Sequence, residues 1–318
     1  MFCVLEDLSD TLNIKGEYKD EMMYLKQAMS KTDDLEDKRR LYRKIAKSYI
    51  NQGEYKKAIE IIEKGLNLGE NMPEAQGEES GGLREKNDLV KTPETCRLLS
   101  EKGWVMMRLG RYGNAKKIFT KELELAEEID HKPSLSQAYH DLGSPARANI
   151  DPEESIRYLN KSIEIRDELI EKRDTIEDKL GKSKTFNNIG AIYSREGKLD
   201  KALEYFKRSI KIDDETNIKL EKGRTLNNIG YILVMQGKLD QVSDYLDRGQ
   251  NISEKIGDKQ GLSRLENSRS FLQKEKGNFD KALEHINNSL EIAKEIEDIF
   301  GVFMCQKEKA ELHILKCD

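Results

Sequence analysis

Basic side chains able to grip carboxylates recur along this chain at wide intervals. Arg40, Arg97, Lys184, Arg224 and Arg264, with Gln137 as the neutral member, each stand six residues before a small residue. A guanidinium in such a row offers two parallel donors to a carboxylate, so the row could hold an acidic strip or a chain terminus. Arg43, Lys44 and Lys47 thicken its first rung. Asn187, Asn188, Asn227, Asn228 and Asn267 add amides that could donate to and accept from the backbone of an extended peptide, at positions where Asn is a poor helix former. Trp104, Tyr231 and Phe271, one residue after the small position, are large enough to anchor a ligand. Each group also has a plain structural reading. Charges on helices pair with acids one turn away, and recurring amides can link one repeat to the next.

Covalent and metal chemistry find little support. His131, His140, His285 and His313 are dispersed. His140 and Asp141 are helix neighbours that do not face one another. Cys305, His313 and Cys317 fall on roughly one helical face and could supply metal ligands, but a cysteine packed inside a terminal helix pair is the ordinary reading. No phosphate loop, nucleophile elbow or paired-carboxylate signature is present. The chain is therefore read as a non-enzyme with no cofactor and no metal.

The elements that must position the row are repeats. Laid against itself one period on, the sequence places Phe186-Asn187-Asn188-Ile189-Gly190 over Leu226-Asn227-Asn228-Ile229-Gly230. Each unit carries a Gly, an aromatic or Leu two residues later and usually a small residue five later, as in Gly53/Tyr55/Ala58, Gly110/Tyr112/Ala115, Gly197/Leu199/Ala202 and Gly277/Phe279/Ala282. The Gly ends a helix in the left-handed conformation, and the small residue admits the next helix closely. A second small residue seven positions before the turn (Gly103, Gly190, Gly230) and a bulky one nine after it (Phe119, Phe206, Leu246) read as hole and knob. Each unit is then helix, turn, helix. Units that cannot bury their own apolar faces stack on their neighbours.

This pattern resembles the tetratricopeptide repeat over nearly the whole chain. Most of its units are longer than the usual one of ~34 residues, and in this they resemble kinesin light chain, the Pins-type adaptors and bacterial peptide-receptor arrays. The resemblance implies an all-α, right-handed solenoid of about seven hairpins, at 1–31, 39–68, 95–127, 136–171, 183–216, 223–256 and 263–297, with a capping helix at 299–317, all in one domain. It also implies that the first helix of each pair lines a concave groove, which places the basic row, the amides and the three aromatics inward, with Glu101, Asp141 and His140 following the basic second repeat so that the groove is bipolar. The carboxylate clamp known in the family is not intact: Arg43 and Lys47 stand where its first pair would be, but Glu101 replaces an Asn.

Departures from the period carry their own expectations. Residues 69–94 hold seven acids against three bases with Gly81-Gly82, Pro73 and Pro93, which reads as an acidic loop able to fold onto the basic second unit. The extra residues at 173–181 suit two more helical turns. Pro145 should stop or kink the helix it interrupts, while Asp151-Pro152-Glu153-Glu154 opens the next one.

Fifty-five basic and 60 acidic side chains give a net charge of −5, without the positive field that draws nucleic acid. Four scattered cysteines and no apolar segment near the ~20 residues needed to span a bilayer point to the cytoplasm, away from membranes. The expected partner is a protein or peptide with an acidic segment, for an adaptor or, alternatively, a sensor array in a larger signalling system. The first repeat starts without a polar cap helix, so self-association through it is a third possibility.

Overall fold

The structure is a computed structural model that describes residues 2–15, 17–69, 89–144, 151–217, 219–296 and 298–317. The described residues are helices joined by turns, in the order α1 (Phe2–Lys15), α2 (Tyr18–Met29), α3 (Leu35–Asn51), α4 (Tyr55–Leu66), α5 (Pro93–Arg108), α6 (Tyr112–Glu128), α7 (Lys132–Leu142), α8 (Pro152–Arg173), α9 (Ile176–Arg195), α10 (Leu199–Thr216), α11 (Lys219–Met235), α12 (Leu239–Ile256), α13 (Lys259–Glu275), α14 (Phe279–Glu295) and α15 (Ile299–Cys317). This is the all-α solenoid class, built in two compact units, one on α1–α7 and one on α8–α15.

The hairpin turns follow the glycines. Gly53, Gly110, Gly197, Gly237 and Gly277 have φ between 71° and 75°. In each, the residue after the Gly donates its N–H to the carbonyl five residues back, as from Lys198 to Tyr193 at 2.9 Å and Asn278 to Gln273 at 2.8 Å. This closes the orphan carbonyls of the preceding helix. Nothing lies within 4 Å of a Cβ added at any of these glycines, so the backbone angle alone requires them.

The knobs and holes also meet. A Cβ on Gly103 would stand 2.2 Å from the Phe119 ring, on Gly190 2.7 Å from Phe206, and on Gly230 2.7 Å from Leu246. The small residues opposite, Ala58, Ala115, Ala202 and Ala282, are fully buried. In the first hairpin the same place holds Glu21, which is buried as well.

α7 ends at Leu142, ahead of Pro145, and Asp151 caps α8 by accepting from the Glu154 N–H at 3.1 Å. The extra residues at 173–181 lengthen two helices rather than one. α8 reaches 22 residues and α9 20, and the chain turns between them at Asp174, which is left-handed, and Thr175, which caps α9. Arg173 clasps Asp178 across that turn at 2.7 and 2.9 Å, and burial of Asp178 is outweighed by this guanidinium, which holds its carboxyl below the usual range. Most of the acidic segment, residues 70–88, lies outside the described residues.

Candidate functional site

In the first unit every rung of the basic row meets a built-in acid. Arg40 on α3 makes a bidentate pair with Glu6 on α1 at 3.0 and 3.1 Å and reaches Asp37 at 2.6 Å. Lys44 binds Asp10 at 2.9 Å and Glu6 at 3.3 Å. Burial works against charge on Glu6, but Arg40 and Lys44 outweigh it and hold the carboxyl below its usual range. Arg43 on α3 and Arg97 on α5 converge on Glu94, Arg43 at 3.0 Å. Glu94 is buried, yet these two cations likewise keep its carboxyl low. Glu94, the last acid of the 69–94 segment, sits against Arg43 as part of α5. Lys47 remains exposed.

The second unit carries the row on α9, α11 and α13. Glu221 on α11 is shared by Lys184 of α9, at 3.8 Å, and by Arg224 of its own helix, at 3.1 Å. One carboxylate thus serves two cations. Arg264 holds the matching position on α13 and is exposed. One residue beyond the small position, Tyr231 is 41% exposed and stacks on Phe271 at 5.2 Å, with the Lys274 ammonium 5.1 Å from the Phe271 centroid.

The asparagines form a ladder between first helices. The side chain three before the small residue of one repeat meets the side chain two before the small residue of the next. Asn228 donates to Asn187 Oδ1 at 2.8 Å, and Ser268 to Asn227 Oδ1 at 2.9 Å. Asn187 also donates to Thr225 at 2.7 Å. Asn188 is half-buried and has partners of its own. Repeat-to-repeat bonding therefore occupies amides that the sequence also suits to a ligand.

The same link in the first unit is built from an acid. Ser100 on α5 donates to Asp141 on α7 at 2.5 Å, and Trp104 Nε1 and Gln137 Nε2 add donors at 3.1 and 2.9 Å. Asp141 is fully buried and His140 nearly so, which corrects the expectation that they line the groove as its second pole. Repeats pack so closely here that the two-before position faces the preceding helix. Desolvation lifts the Asp141 carboxyl to about 7 against the pull of its three donors. Beside it Glu122 on α6 is buried with no donor on either oxygen, and desolvation, then Asp141 and Glu101, raise it well above the carboxylate range. Burial and Glu122 push the Cys96 thiol up to about 12, so it is no nucleophile at neutral pH.

The acids now seen gripping the row were partly visible beforehand. Glu94 and Glu221 lie three residues before Arg97 and Arg224, the spacing that pairs on a helix. Glu6 lies 34 residues before Arg40 and carried no such signal. Among the described residues no group of His, Cys, Asp and Glu is placed to hold a metal ion, and no helix is long and apolar enough to cross a membrane. Cys305 is buried, His313 is exposed, and the side chain of Cys317 lies outside the described residues.

A tetratricopeptide repeat family model matches residues 94–168 and 181–255, and a second model of the same repeat matches 40–71. No curated protein sequence matches the chain. Among solved structures, the Rap conjugation gene regulator of plasmid pLS20 in complex with the Phr* peptide aligns with a TM-score of 0.64 at 16% identity, over 92% of this chain and 73% of that one. The apo form of RapI aligns at 0.61 and 13% identity, over 93% and 99%. A signal transduction ATPase with numerous domains from Pyrococcus horikoshii, with a tetratricopeptide repeat sensor, aligns at 0.59 and 17% identity, over all of this chain but 45% of that one. At such identities the likeness is one of fold.

Proposed function

The chain belongs to the tetratricopeptide repeat family, and on that premise we propose that it is a cytoplasmic adaptor, without chemistry of its own, that receives an acidic peptide or helix of another protein along its first-helix face. The carrying observation is the row of cations on the first helices of the second unit. Lys184 and Arg224 share the single carboxylate of Glu221, and exposed Arg264 continues the row beside the Tyr231–Phe271 stack. In the first unit a ligand carboxylate must compete with Glu6 and Glu94 for Arg40, Arg43, Lys44 and Arg97. We accordingly place capture on Lys184, Arg224 and Arg264, with Tyr231 and Phe271 as the apolar anchor, and give Arg40, Arg43, Lys44 and Arg97 a structural part. Binding of fluorescent peptides of graded Glu content tests this. Arg224→Glu with Arg264→Glu should weaken acidic peptides at least tenfold while leaving the helical signal unchanged. Equal binding by the double reversal would remove the site from this face.

A sensor array within a larger signalling system is the second reading. It is favoured by the similar folds of a sensor-bearing ATPase and of a regulator held with a peptide. Self-association through the first hairpin has the exposed Val4 and Leu8 of α1 in its favour. Sedimentation of Val4→Glu with Leu8→Glu separates it, since only that mode predicts a dimer that these changes dissolve.

A further inference from the structure

A run of side-chain hydrogen bonds leads from the asparagine ladder into the interior of the second unit and ends on an acid. Asn187 of α9 accepts from Asn228 at 2.8 Å and donates to Thr225 of α11 at 2.7 Å. Thr225 meets the Ser209 hydroxyl of α10 at 3.2 Å, Ser209 meets Ser183 of α9 at 2.9 Å, and Ser183 meets Asp213 of α10 at 2.5 Å. Thr225, Ser209, Ser183 and Asp213 are fully buried.

Each hydroxyl has one proton to give, and this sets the direction of the run. Thr225 gives its proton to the Glu221 carbonyl at 3.0 Å. It must therefore accept from Ser209, Ser209 from Ser183, and Ser183 from Asp213. Only a protonated Asp213 fills every one of these contacts. An ionised Asp213 claims the Ser183 proton instead, which leaves Ser209 with one proton for two neighbours, so one buried contact goes unmade. The other oxygen of the acid, Oδ2, has no donor to offset the charge. Packing does not call for an acid here. Between α13 and α14 the same hydroxyl pair, Ser263 and Ser289, recurs at 3.0 Å, and the position of Asp213 is held by buried Ala293.

Charge ties this acid to the basic row. Glu221 and Lys222 of α11 and Asp214 of its own helix are the charges that act on Asp213, while α9 offers it the Ser183 hydroxyl. Lys222 is itself paired with Asp214. Glu221 is the carboxylate that Lys184 and Arg224 share, so a negative charge on Asp213 adds to it and lowers the pull of those cations on an acidic ligand. Desolvation, with Glu221 and Asp214 in support, lifts the Asp213 carboxyl to about 7, and both of its forms are populated near neutral pH.

We propose that Asp213 is a proton-operated control on the Lys184–Arg224 face: the neutral acid leaves that face able to take an acidic ligand, and the ionised acid weakens capture. The proposal rests on the capture site argued above. Ligand binding then takes up a proton, since the ligand and the proton favour the same state.

Two measurements on the full chain test it. In the ligand-free chain the side-chain amide resonances of Asn187 should move with a midpoint near pH 7, and Asp213→Asn, whose amide donates to Ser183 as the protonated acid does, should hold them still. A fluorescent Glu-rich peptide should bind the wild-type chain about threefold or more tighter at pH 6 than at pH 8, and the variant equally at both. A retained helical signal reports that the variant folds. Asn187 resonances that stay fixed in the wild type, or that move alike in the variant, overturn the proposal, as does peptide binding with the same pH dependence in both chains. A peptide that binds at neither pH overturns the capture site itself, and the control with it.

Discussion

The two units solve one problem with different chemistry. Each must join consecutive first helices through polar side chains buried between repeats. α9, α11 and α13 do so with neutral amides and hydroxyls, Asn187 to Asn228 and Asn227 to Ser268, while α5 and α7 use Ser100 and the carboxyl of Asp141. A neutral link costs little to bury once both partners are satisfied. A carboxyl is more expensive, and it either keeps its proton or collects donors. Asp141 does both, and Glu122 beside it, with no donor, relies on the proton alone. The same position in the repeat is therefore a passive strut at Asn228 and Ser268 and a titrating group at Asp141.

The tightest hairpins give the largest expected contrast. Gly103→Ala places a methyl group 2.2 Å from Phe119, where Gly190→Ala places one 2.7 Å from Phe206. The first should cost about 3 kcal/mol or more and the second about 1–2 kcal/mol, read as urea midpoints. Equal losses would mean that Phe119 yields as readily as Phe206.

Next come the links themselves. Asp141→Ala strands the donors of Ser100, Trp104 and Gln137 and should cost about 2–3 kcal/mol, against about 1 kcal/mol for Asn228→Ala. A smaller loss for the aspartate would show that these donors find water.

The pH response sharpens the contrast further. Folded Asp141 holds its proton up to about 7, whereas an unfolded aspartate releases it near ~4. Its contribution is complete below the lower value, falls as pH climbs through the interval, and is gone above 7, so the first unit weakens with rising pH. Asp213 on α10 is lifted to about 7 by desolvation against its bond from Ser183, so the second unit has a slope of its own. Trp104 separates the two, being the chain's single tryptophan and a donor to Asp141. Its emission should shift with a midpoint near pH 7, and Asp141→Asn should abolish that shift. A shift that persists in the variant would trace it to Glu122.

The smallest effects belong to exposed pairs that the two units share. Lys91→Ala, which breaks a pair with Glu128, and Lys259→Ala, which breaks the 2.6 Å pair with Glu295, should each change the urea midpoint by less than about 0.5 kcal/mol. A clear difference between them would mark one pair as part of a larger network.

Much of the fold was legible because its causes are local and recur. Gly53, Gly197 and Gly277 mark turns since only glycine takes a φ near 71–75° cheaply. Gly103 with Phe119 and Gly190 with Phe206 could be matched by spacing because a helix returns a side chain to one face every turn. The candidate site was legible by position but not by state. The spacing that lined up Arg40, Arg224 and Asn228 holds equally whether each faces a ligand, a carboxylate or a neighbouring amide.

What the sequence settled alone was the unit: two helices, a glycine turn, and a hole for each knob, all set by backbone preferences and side-chain size within a single repeat. What waited for the tertiary structure was every pairing between units. Whether Glu6 reaches Arg40, whether Asn187 spends its amide on Asn228 and whether Asp141 is wet or dry depend on which faces are pressed together. Burial and partnership are properties of that contact, because desolvation and hydrogen bonding act through space over a few ångströms while the partners lie 34 to 41 residues apart along the chain.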